Sequence, residues 1–476
     1  MSFTKKVKKA DDIVPHFNVG ALLDIPTGAP VSGLKGETII NGGVHHLTGQ
    51  TGEANSAKTG VSLYQVLTVM ERYPGVNLTI YDSENTLPKD RVLSQARHIA
   101  PSLITINEDG DADLNNFALV TPREYLGDEF YEEFKTYGEE RPKLKADYVE
   151  TPFFNKETKE VIKILNPEFA FIDSFSMFGT TATKNIQDNA NIGETGQNML
   201  YMKDGLVKAQ MMNELPRIVG KNGLYFVMTA QIGENRSLDP YKAPRQQLGF
   251  LKNGLKIKKV PDDYRYLMHN LWFNFAMKPL INSSTKAPEY PRNSDENNAK
   301  GDSDLQEIVI INLRGKSGAS GKPMSIVYSQ SEGVKASLTE FHNAKEAKFG
   351  ITNKQGKYTI DLYPDCNVGR TNIRQMLEED YKLKTAVKLT SDLLQVKEEW
   401  RHLPANLVCD PKTLYDDIKA LGYDWDVLLQ TRSHWTYDQY TNPVPFLSIM
   451  DLLYMREGTY KPYWMENKND KPKSNK

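Results

Sequence analysis

The stretch Gly52-Glu53-Ala54-Asn55-Ser56-Ala57-Lys58-Thr59, followed by Gly60, decides how this chain is interpreted. It matches the spacing G-x-x-x-x-G-K-[ST], except that Ala57 stands where a second glycine is usual. In such a loop backbone N–H groups surround an anion, the lysine reaches the outer phosphates and the hydroxyl ligates Mg²⁺. The extra methyl group is tolerated if Ala57 keeps a negative φ. The spacing predicts a nucleotide-phosphate site, and the alternative is a turn that only caps a helix.

Short apolar runs around this loop predict a sheet. The run Val44–Thr48 precedes the loop, Thr59–Arg72 has the composition of a helix, and later apolar runs each stop at a polar residue. Because helix-compatible stretches separate several runs, we expect a mostly parallel, twisted sheet flanked by helices, with its working edge at the strand C-termini. Two further runs around a Gly-rich segment predict an antiparallel hairpin at the end of the sheet. The later parallel runs are Val76–Tyr81, Phe169–Ile172 and Leu224–Met228, and the hairpin runs are Leu305–Leu313 and Met324–Tyr328.

Composition limits the class of protein. The chain has 476 residues, enough for two domains or one large α/β core with insertions, and its net charge is −2. A nucleic-acid partner would therefore have to be held by a local basic patch. The only cysteines are Cys366 and Cys409, which argues against a disulfide scaffold or zinc cluster and fits a reducing cytosol. No run approaches a membrane span, so we expect a soluble cytoplasmic protein without a membrane partner.

Composition also suggests a division of the chain. Residues 1–32 are expected to form a lead-in and possible subunit-contact segment, and residues 33–366 an ATPase-like α/β core. Within that core, residues 107–150 are strongly acidic and predict a solvated excursion, and residues 282–304 predict a mobile polar loop. Residues 367–465 predict a small helical region, and residues 466–476 a disordered tail.

Three polar residues at predicted strand ends are candidates for phosphate chemistry. Asp173 follows four apolar residues, the arrangement that holds Mg²⁺ beside a phosphate loop, although it could also be a helix N-cap. Glu84 could polarise an attacking water, or could be a surface carboxylate. Gln231 could sense the terminal phosphate, or could be an ordinary polar residue. Their order along the chain is more specific than any one of them.

The segment after Gln231 predicts a single-stranded nucleic-acid site. Basic side chains that track phosphates alternate there with rings that can stack on bases. The alternative is a long solvated loop with ordinary surface lysines. The basic residues are Arg236, Lys242, Arg245, Lys252, Lys256, Lys258 and Lys259, and the rings are Tyr241, Phe250, Tyr264 and Tyr266.

Taken together, the motifs resemble the RecA superfamily, and most of all the UvsX-type recombinases of tailed phages. Those proteins also tolerate a non-glycine residue before the phosphate-loop lysine. The resemblance covers roughly residues 33–332 and rests on the loop together with Tyr81-Asp82-Ser83-Glu84, Phe171-Ile172-Asp173-Ser174, Ala230-Gln231 and Leu313-Arg314-Gly315-Lys316. It implies a RecA-like fold that uses ATP and Mg²⁺.

The resemblance also implies roles for individual residues. Lys58 and Thr59 would bind phosphate and Mg²⁺, with Asp173 as the second metal-binding group. Glu84 would be the catalytic glutamate and Gln231 the switch that responds to the γ-phosphate.

Three more residues take roles from the same resemblance. Arg314 and Lys316 match the paired basic residues that such filaments insert into a neighbouring subunit's ATP site, although ordinary basicity at a hairpin turn is the alternative. Arg91 is where such proteins contact adenine. A cation supplied across a subunit boundary would link hydrolysis to assembly.

The function implied is that of an ATP-dependent DNA recombination and repair protein. It would form filaments on single-stranded DNA in the cytoplasm (the host's, if phage-encoded), promote strand exchange, and work beside single-strand-binding and mediator proteins. Two alternatives stay open: a ring-shaped DnaB-like helicase, and an accessory protein that binds nucleotide and DNA without hydrolysis. The long interval between Glu84 and Asp173 and the C-terminal hundred residues depart from the family pattern.

Overall fold

The computed structural model describes residues 13–121, 127–143, 148–181, 183–184, 200–220, 222–234, 244–298, 304–316, 318 and 320–465. The strands, in chain order, are β1 Ala29–Ser32, β2 Thr38–Asn41, β3 Leu47–Gly52, β4 Asn77–Asp82, β5 Ile104–Ile106, β6 Ala112–Leu114, β7 Phe117–Val120, β8 Tyr148–Phe154, β9 Val161–Leu165, β10 Glu168–Asp173, β11 Leu224–Glu234, β12 Leu255–Ile257, β13 Asn270–Asn274, β14 Lys278–Pro279, β15 Leu305–Gly315, β16 Pro323–Ser329, β17 Gly333–Val334, β18 Ile351–Lys354, β19 Lys357–Ile360 and β20 Val368–Gly369.

The helices alternate with these strands in the first half of the chain and dominate the last quarter. They are α1 Asp24–Thr27, α2 Lys58–Arg72, α3 Lys89–Ile99, α4 Gly127–Glu140, α5 Leu200–Ile218, α6 Asp262–Leu267, α7 Ser294–Asn298, α8 Ala336–Glu346, α9 Ile373–Glu379, α10 Tyr381–Glu399, α11 Pro411–Ala420, α12 Trp425–Leu428 and α13 Ile449–Arg456, with short 3₁₀ helices at Pro101–Leu103 and Arg141–Lys143.

One large sheet organises the molecule. Its strand order is β17-β16-β15-β13-β3-β11-β10-β4-β7, with β12 added to β11 and β14 to β15. Every neighbouring pair from β13 to β7 is parallel, whereas β13, β15, β16 and β17 pair antiparallel. Because parallel strands point the same way, the carboxyl ends of β3, β4, β10 and β11 meet at one edge. The fold is therefore a mixed α/β fold with a largely parallel sheet, and the predicted hairpin is confirmed as β15–β16.

Both faces of the parallel strands are buried, as the near-continuous apolar runs predict. Alternate residues of β10, such as Phe169 and Phe171, pack on the face covered by α2 and α3. The intervening Ala170 and Ile172 pack on the face covered by α4 and α5. The sheet is thus rigidly held between two helical layers, which positions the loops at its carboxyl edge.

Strand boundaries differ from the sequence prediction at two places that matter for the site. The strand before the phosphate loop is Leu47–Gly52, not Val44–Thr48, so it runs directly into the loop. The strand β11 continues to Glu234, six residues beyond the predicted end, because its last residues pair with β12. Gln231 therefore lies inside a strand and not at its end.

The acidic segment 107–150 is not wholly a solvated excursion, and this expectation was wrong for two of its elements. Phe117–Val120 forms β7, which pairs in parallel with β4 at the sheet edge. The helix α4 buries Phe130 and Tyr131 in the core on the α5 face. The acidic composition did not indicate these elements, because most charged side chains of α4 lie on its outer face while Phe130, Tyr131 and Phe134 face inward.

The other predicted segments are packed more closely than composition suggested. Within residues 282–298, Tyr290 is completely buried and its hydroxyl lies 2.7 Å from Nδ1 of His342. Phe17 of the lead-in and Trp435 of the C-terminal region stack in the same core as the sheet. The C-terminal helices share a second core with residues of α8, β15 and β16. The division into domains, and residues 466–476, which lie outside the described residues, stay predictions.

In the part of the chain that the structure describes, none of the helices is long and apolar enough to cross a membrane.

Candidate functional site

The phosphate-loop sequence forms a strand–loop–helix turn at the carboxyl edge of the sheet. It connects the end of β3 at Gly52 to the start of α2 at Lys58. Asn55 and Ala57 both adopt left-handed conformations, with φ of 53° and 49°, alternating with residues that do not. Such alternation turns successive N–H groups toward one point and forms an anion-binding nest. Among the described residues no acceptor receives the N–H groups of residues 54–60, so they are open to a ligand.

The conformation of Ala57 corrects one expectation. A negative φ was the condition for tolerating alanine here, but φ is +49° and ψ is 34°. A left-handed conformation costs a non-glycine residue about 1–2 kcal/mol. The loop therefore keeps the backbone geometry of a glycine at this position and carries the strain of an alanine.

Two glycines of the motif are required by close contacts. A Cβ atom on Gly52 would lie 2.4 Å from the carbonyl oxygen of Asn274, and one on Gly60 would lie 2.4 Å from the Tyr328 hydroxyl. Asn274, at the end of β13, also braces the loop, since its side-chain amide donates to Ser56 O at 2.9 Å. The loop is thus clamped between β13 and α2.

The ammonium of Lys58 lies inside the loop. Its Nζ donates to Glu53 O at 2.8 Å and approaches Gly52 O and Ser56 Oγ at 3.4 Å each. Burial lowers the pKa of Lys58, and the nearby carboxylates of Asp173 and Glu84 oppose that shift. The charge is balanced here mainly by neutral carbonyl groups, which leaves it available to an anion.

Thr59 and Asp173 form the second part of the site. The Thr59 hydroxyl donates to Asp173 Oδ2 at 2.6 Å, and the Thr229 hydroxyl donates to the other carboxylate oxygen. Asp173 is 8% exposed. Burial raises its pKa, and the carboxylates of Glu84 and Asp82 raise it further, while the two hydroxyl groups lower it. A divalent cation would relieve this unbalanced negative charge.

The donor set fits Mg²⁺ of the kind that is held jointly with phosphates. It offers one hydroxyl and one carboxylate, and no group of three or more His, Cys, Asp or Glu side chains in the described ranges could hold a metal by itself. Mg²⁺ usually keeps several waters and takes one or two protein ligands plus substrate phosphates. Thr59 and Asp173 would be those protein ligands.

Glu84 and Gln231 are brought together, as their order in the sequence predicts. Glu84 Oε1 accepts hydrogen bonds from the Gln231 side-chain amide at 2.8 Å and from the Ser174 hydroxyl at 2.6 Å. The end of β4, which precedes Glu84, is tied to the end of β10 by Ser83 N, which donates to Asp173 O at 2.8 Å. The carboxylate is therefore held next to the Thr59–Asp173 pair in a defined orientation.

Gln231 also connects the site to a basic hairpin. Its backbone N–H donates to Ser176 Oγ at 2.9 Å, and its backbone oxygen accepts from Lys258 N at 2.8 Å. The Ser176 hydroxyl in turn donates to Lys258 O at 2.9 Å. A change in the position of Gln231 would therefore be felt directly by the β11–β12 hairpin.

The candidate DNA-binding residues are only partly within the described chain. Lys256 lies on β12, and Lys258 and Lys259 follow it, so these three lie at the same sheet edge as the phosphate loop. Lys252 is exposed and pairs with Glu234 at 3.1 Å, and Arg245 is exposed. Arg236 and Lys242 lie outside the described residues.

The aromatic residues of this segment differ in exposure. Phe250 and Tyr266 are 57% and 53% exposed, as stacking on bases requires. Tyr264 is completely buried and donates to Met228 O at 2.8 Å, so its proposed stacking role was wrong. Tyr241 lies outside the described residues.

Arg314 and Lys316 lie at the opposite edge of the sheet from the phosphate loop. Arg314 pairs with Leu271, and Leu271 lies beside Gly49, three residues before Gly52. This separation is on the order of 10 Å along the strands, and the chain continues away from the loop toward Lys316. Neither residue is placed at the phosphate loop of its own chain.

Arg91 is exposed on the first turns of α3, and nothing in its surroundings tests a contact with adenine. That role stays a prediction.

Three residues of the site were not anticipated. Thr229 holds Asp173, Ser174 holds Glu84, and Asn274 braces the phosphate loop. Thr229 could have been found, because it lies two residues before Gln231 and therefore on the same face of the strand. Asn274 could not, since its role depends on the pairing of β13 with β3.

Comparison with known proteins adds little to this geometry. No model of a known protein family matches the sequence, and no curated protein matches it. Among solved structures, the crystal structure of the RadB recombinase is similar over 62% of this chain and 92% of its own length, with 13% identity and a TM-score of 0.30. A likeness this slight assigns no function to this chain.

Proposed function

We propose that the chain binds ATP with Mg²⁺ at the loop Gly52–Thr59 and hydrolyses it. The observation that supports this most is the set of open N–H groups of residues 54–60 around the Lys58 ammonium, next to the Thr59–Asp173 pair. Backbone donors, a cation and a hydroxyl–carboxylate pair are the groups that a magnesium-bound triphosphate needs. A turn that only caps a helix would need neither the buried carboxylate nor the paired Glu84 and Gln231.

In this proposal each residue has a separate task. Lys58 leaves the loop carbonyls to contact the outer phosphates, and Thr59 and Asp173 hold Mg²⁺, which neutralises charge on the phosphates. Glu84 accepts the proton of the attacking water while Ser174 keeps its carboxylate oriented. Gln231 releases Glu84 when the γ-phosphate takes its amide, and the change passes to Lys258 through the backbone bond.

The partner that fits the same sheet edge is single-stranded nucleic acid. Lys256, Lys258 and Lys259 supply phosphate contacts, and the exposed rings of Phe250 and Tyr266 supply stacking surfaces. We therefore propose a RecA-like, DNA-dependent ATPase of the recombinase type, which forms filaments on single-stranded DNA and promotes strand exchange. The position of Arg314 and Lys316 on the far edge supports a role at a neighbouring subunit's site.

The catalytic assignment is tested with Glu84→Gln. We expect ATP turnover in the presence of single-stranded DNA to fall about 100-fold or more, the usual contribution of a general base, with nucleotide affinity unchanged. Glu108→Gln, at an exposed position outside the site, is the matched control and should keep wild-type turnover. Equal rates for the wild type and Glu84→Gln would refute the assignment. A wild type that binds ATP without turnover would instead indicate an accessory protein.

The assembly is tested by negative-stain electron microscopy with single-stranded DNA and a slowly hydrolysed ATP analogue. Nucleotide-dependent helical filaments are the expected result, and Lys58→Ala should prevent them by removing nucleotide binding. Closed rings would favour the DnaB-like helicase alternative. Normal nucleotide affinity in Lys58→Ala would overturn the assignment of the phosphate loop itself.

A further inference from the structure

A second cavity lies far from the phosphate loop, where the C-terminal helices meet the α2 side of the sheet. Its volume is about 600 Å³, within the usual range of small-molecule sites. Its walls come from the C-terminal part of α2, from α3, from the start of α8, from α9 and α10, and from residues 431–434. The cavity is thus built from elements of both halves of the chain.

Unpaired cations distinguish this cavity. Among the described residues, the Lys384 ammonium and the Arg97 guanidinium have neither a side-chain hydrogen bond nor a carboxylate within 4 Å. Arg72, at the end of α2, donates only to the backbone oxygen of Asn18, at 2.9 Å. These three side chains line one cavity and carry three positive charges without a carboxylate partner.

Of the four carboxylates that line the cavity, three already have cationic partners. Glu332 and Glu378 are paired with Lys335, and Glu332 also with Arg374. Glu340 lies 3.9 Å from Lys388 and accepts a hydrogen bond from Ala21 N. The fourth, Glu71, accepts a hydrogen bond from the Ser102 hydroxyl at 2.6 Å and has no cationic partner among the described residues. Glu340 and Glu378 offset part of the charge of Lys384 from a distance. Three unpaired cations therefore face one unpaired carboxylate, which leaves the cavity with an excess of positive charge.

His434 reports how closely the cations converge. Burial lowers its pKa, and Arg72, Arg432, Lys388 and Lys384 each lower it further. A concave, partly desolvated space lined by several cations attracts anions, because its walls of low dielectric constant concentrate the electrostatic field.

We propose that this cavity binds a small, multiply charged phosphate compound, held by Lys384, Arg72 and Arg97. An arginine guanidinium binds phosphate through two parallel hydrogen bonds, and a flexible lysine adds a point charge. The 46%-exposed ring of Tyr381 lines the same cavity and offers a flat wall to an attached organic group. Since α2 begins at the phosphate loop and ends at Arg72, the two sites lie at opposite ends of one helix.

The site is tested by calorimetric titration of the full chain with inorganic tripolyphosphate, without Mg²⁺. The parent protein carries Lys58→Ala, so that the phosphate loop does not dominate the signal. Adding Lys384→Gln should weaken binding at least tenfold. The matched control is Lys382→Gln, on the same helix and outside the cavity, whose partner is Asp426 at 3.1 Å. It should leave the affinity unchanged.

Two results would overturn the proposal. One is the absence of tripolyphosphate binding to the Lys58→Ala parent. The other is equal affinity for Lys384→Gln and Lys382→Gln, which would place any remaining binding elsewhere. In the first case, binding of a short single-stranded oligonucleotide through Lys384 would identify nucleic acid, and not a small molecule, as the occupant. Because Lys384 is exposed, the variant should fold, and its thermal unfolding midpoint should match the parent. None of these outcomes depends on the proposed ATPase activity.

Discussion

The left-handed backbone of Ala57 is strained and at the same time shapes the proposed phosphate-binding loop. Its left-handed backbone turns the N–H groups of the loop inward, but its methyl group makes that conformation unfavourable. We expect Ala57→Gly to stabilise the protein. Relief of about 1–2 kcal/mol of strain exceeds the roughly 0.4–1 kcal/mol lost to the greater freedom of glycine in the unfolded chain. Chemical denaturation should show a gain of about 0.5–1 kcal/mol in the free energy of unfolding.

Ala54→Gly is the control for that measurement. Ala54 lies in the same loop, is exposed and has no positive φ, so glycine relieves nothing there. It should destabilise the protein by about 0.4–1 kcal/mol. If both variants shift stability in the same direction, the left-handed strain at Ala57 is not what limits the loop.

Buried neutral histidines make stability depend on pH. His16 and His45 stack with ring centroids 3.3 Å apart and are almost wholly buried. Burial lowers the pKa of His16 to about 3 and that of His45 well below its usual value. His46 lowers the pKa of His16 further, and His16, His269 and His46 lower that of His45 further. In the unfolded chain both take up a proton below about pH 6.5, so stability is complete above that pH and is lost as the pH falls toward the folded-state values.

The expected size of this effect is about 1 kcal/mol per histidine between pH 6.5 and pH 5.5, or about 2 kcal/mol for the pair. Burial also lowers the pKa values of His46, His269 and His434, so urea unfolding at both pH values measures the sum, and the share of His16 is the difference between the wild type and a variant. His16→Gln should reduce the pH dependence by about one proton, whereas His402→Gln, at an exposed position, should leave it unchanged. Equal pH dependence for the wild type and His16→Gln would mean that His16 is solvated in the native state.

At the scale of single elements, the β11–β12 hairpin joins the proposed ATP and DNA sites. Each phosphate contact on single-stranded DNA changes the slope of log affinity against log salt by about 0.7. We expect the double variant Lys256→Ala/Lys258→Ala to lower that slope by about 1.4, measured by fluorescence anisotropy with an oligonucleotide. Lys412→Ala/Lys419→Ala, two exposed lysines of α11, provides the matched loss of charge. The same slope in both double variants would place the DNA contacts outside the hairpin.

Sequence patterns predicted the elements that have strong local signals. The helix after the phosphate loop was expected at Thr59–Arg72 and begins one residue earlier, and the strand before Asp173 was expected within one residue at each end. Glu84, Asp173 and the phosphate loop meet because parallel strands bring their ends to one edge. Periodicity in the sequence could not predict which strands pair when they are distant along the chain. The β12 strand that extends β11 has three residues, too few to show a period.

The acidic composition of one segment led to a wrong expectation, because composition does not show which residues are buried. Segment 107–150 was expected to be solvated, yet β7 completes the sheet and α4 packs on α5. Average charge reports the outer face of a helix, whereas burial is decided by a few residues such as Phe130 on the inner face. The backbone conformation of Ala57 was also not predictable from the sequence, because the spacing of the motif does not specify the φ angle that alanine must adopt.

Across the whole molecule, the two ends of the parallel strands carry complementary parts of one proposed active site. The phosphate loop lies at the carboxyl edge, and Arg314 and Lys316 lie at the other, where they cannot serve their own chain's loop. A head-to-tail assembly would bring the far edge of one subunit to the loop of the next, and such an interface generates filaments or rings. Hydrolysis would then require a neighbour.

Mixing two inactive variants tests this arrangement. Arg314→Ala/Lys316→Ala keeps an intact phosphate loop, and Lys58→Ala keeps intact cations, so each alone should lack DNA-dependent turnover. In a one-to-one mixture, about a quarter of the boundaries would join an intact loop to intact cations, and turnover should return to about that fraction of the wild-type rate. Arg401→Ala with Lys58→Ala is the control mixture, since Arg401 is exposed in the C-terminal region. It should show about half of the wild-type turnover, because half of the loops are intact and every subunit supplies the cations. Absence of recovery in the first mixture, with filaments visible, would mean that the two basic residues act within their own subunit or not at all.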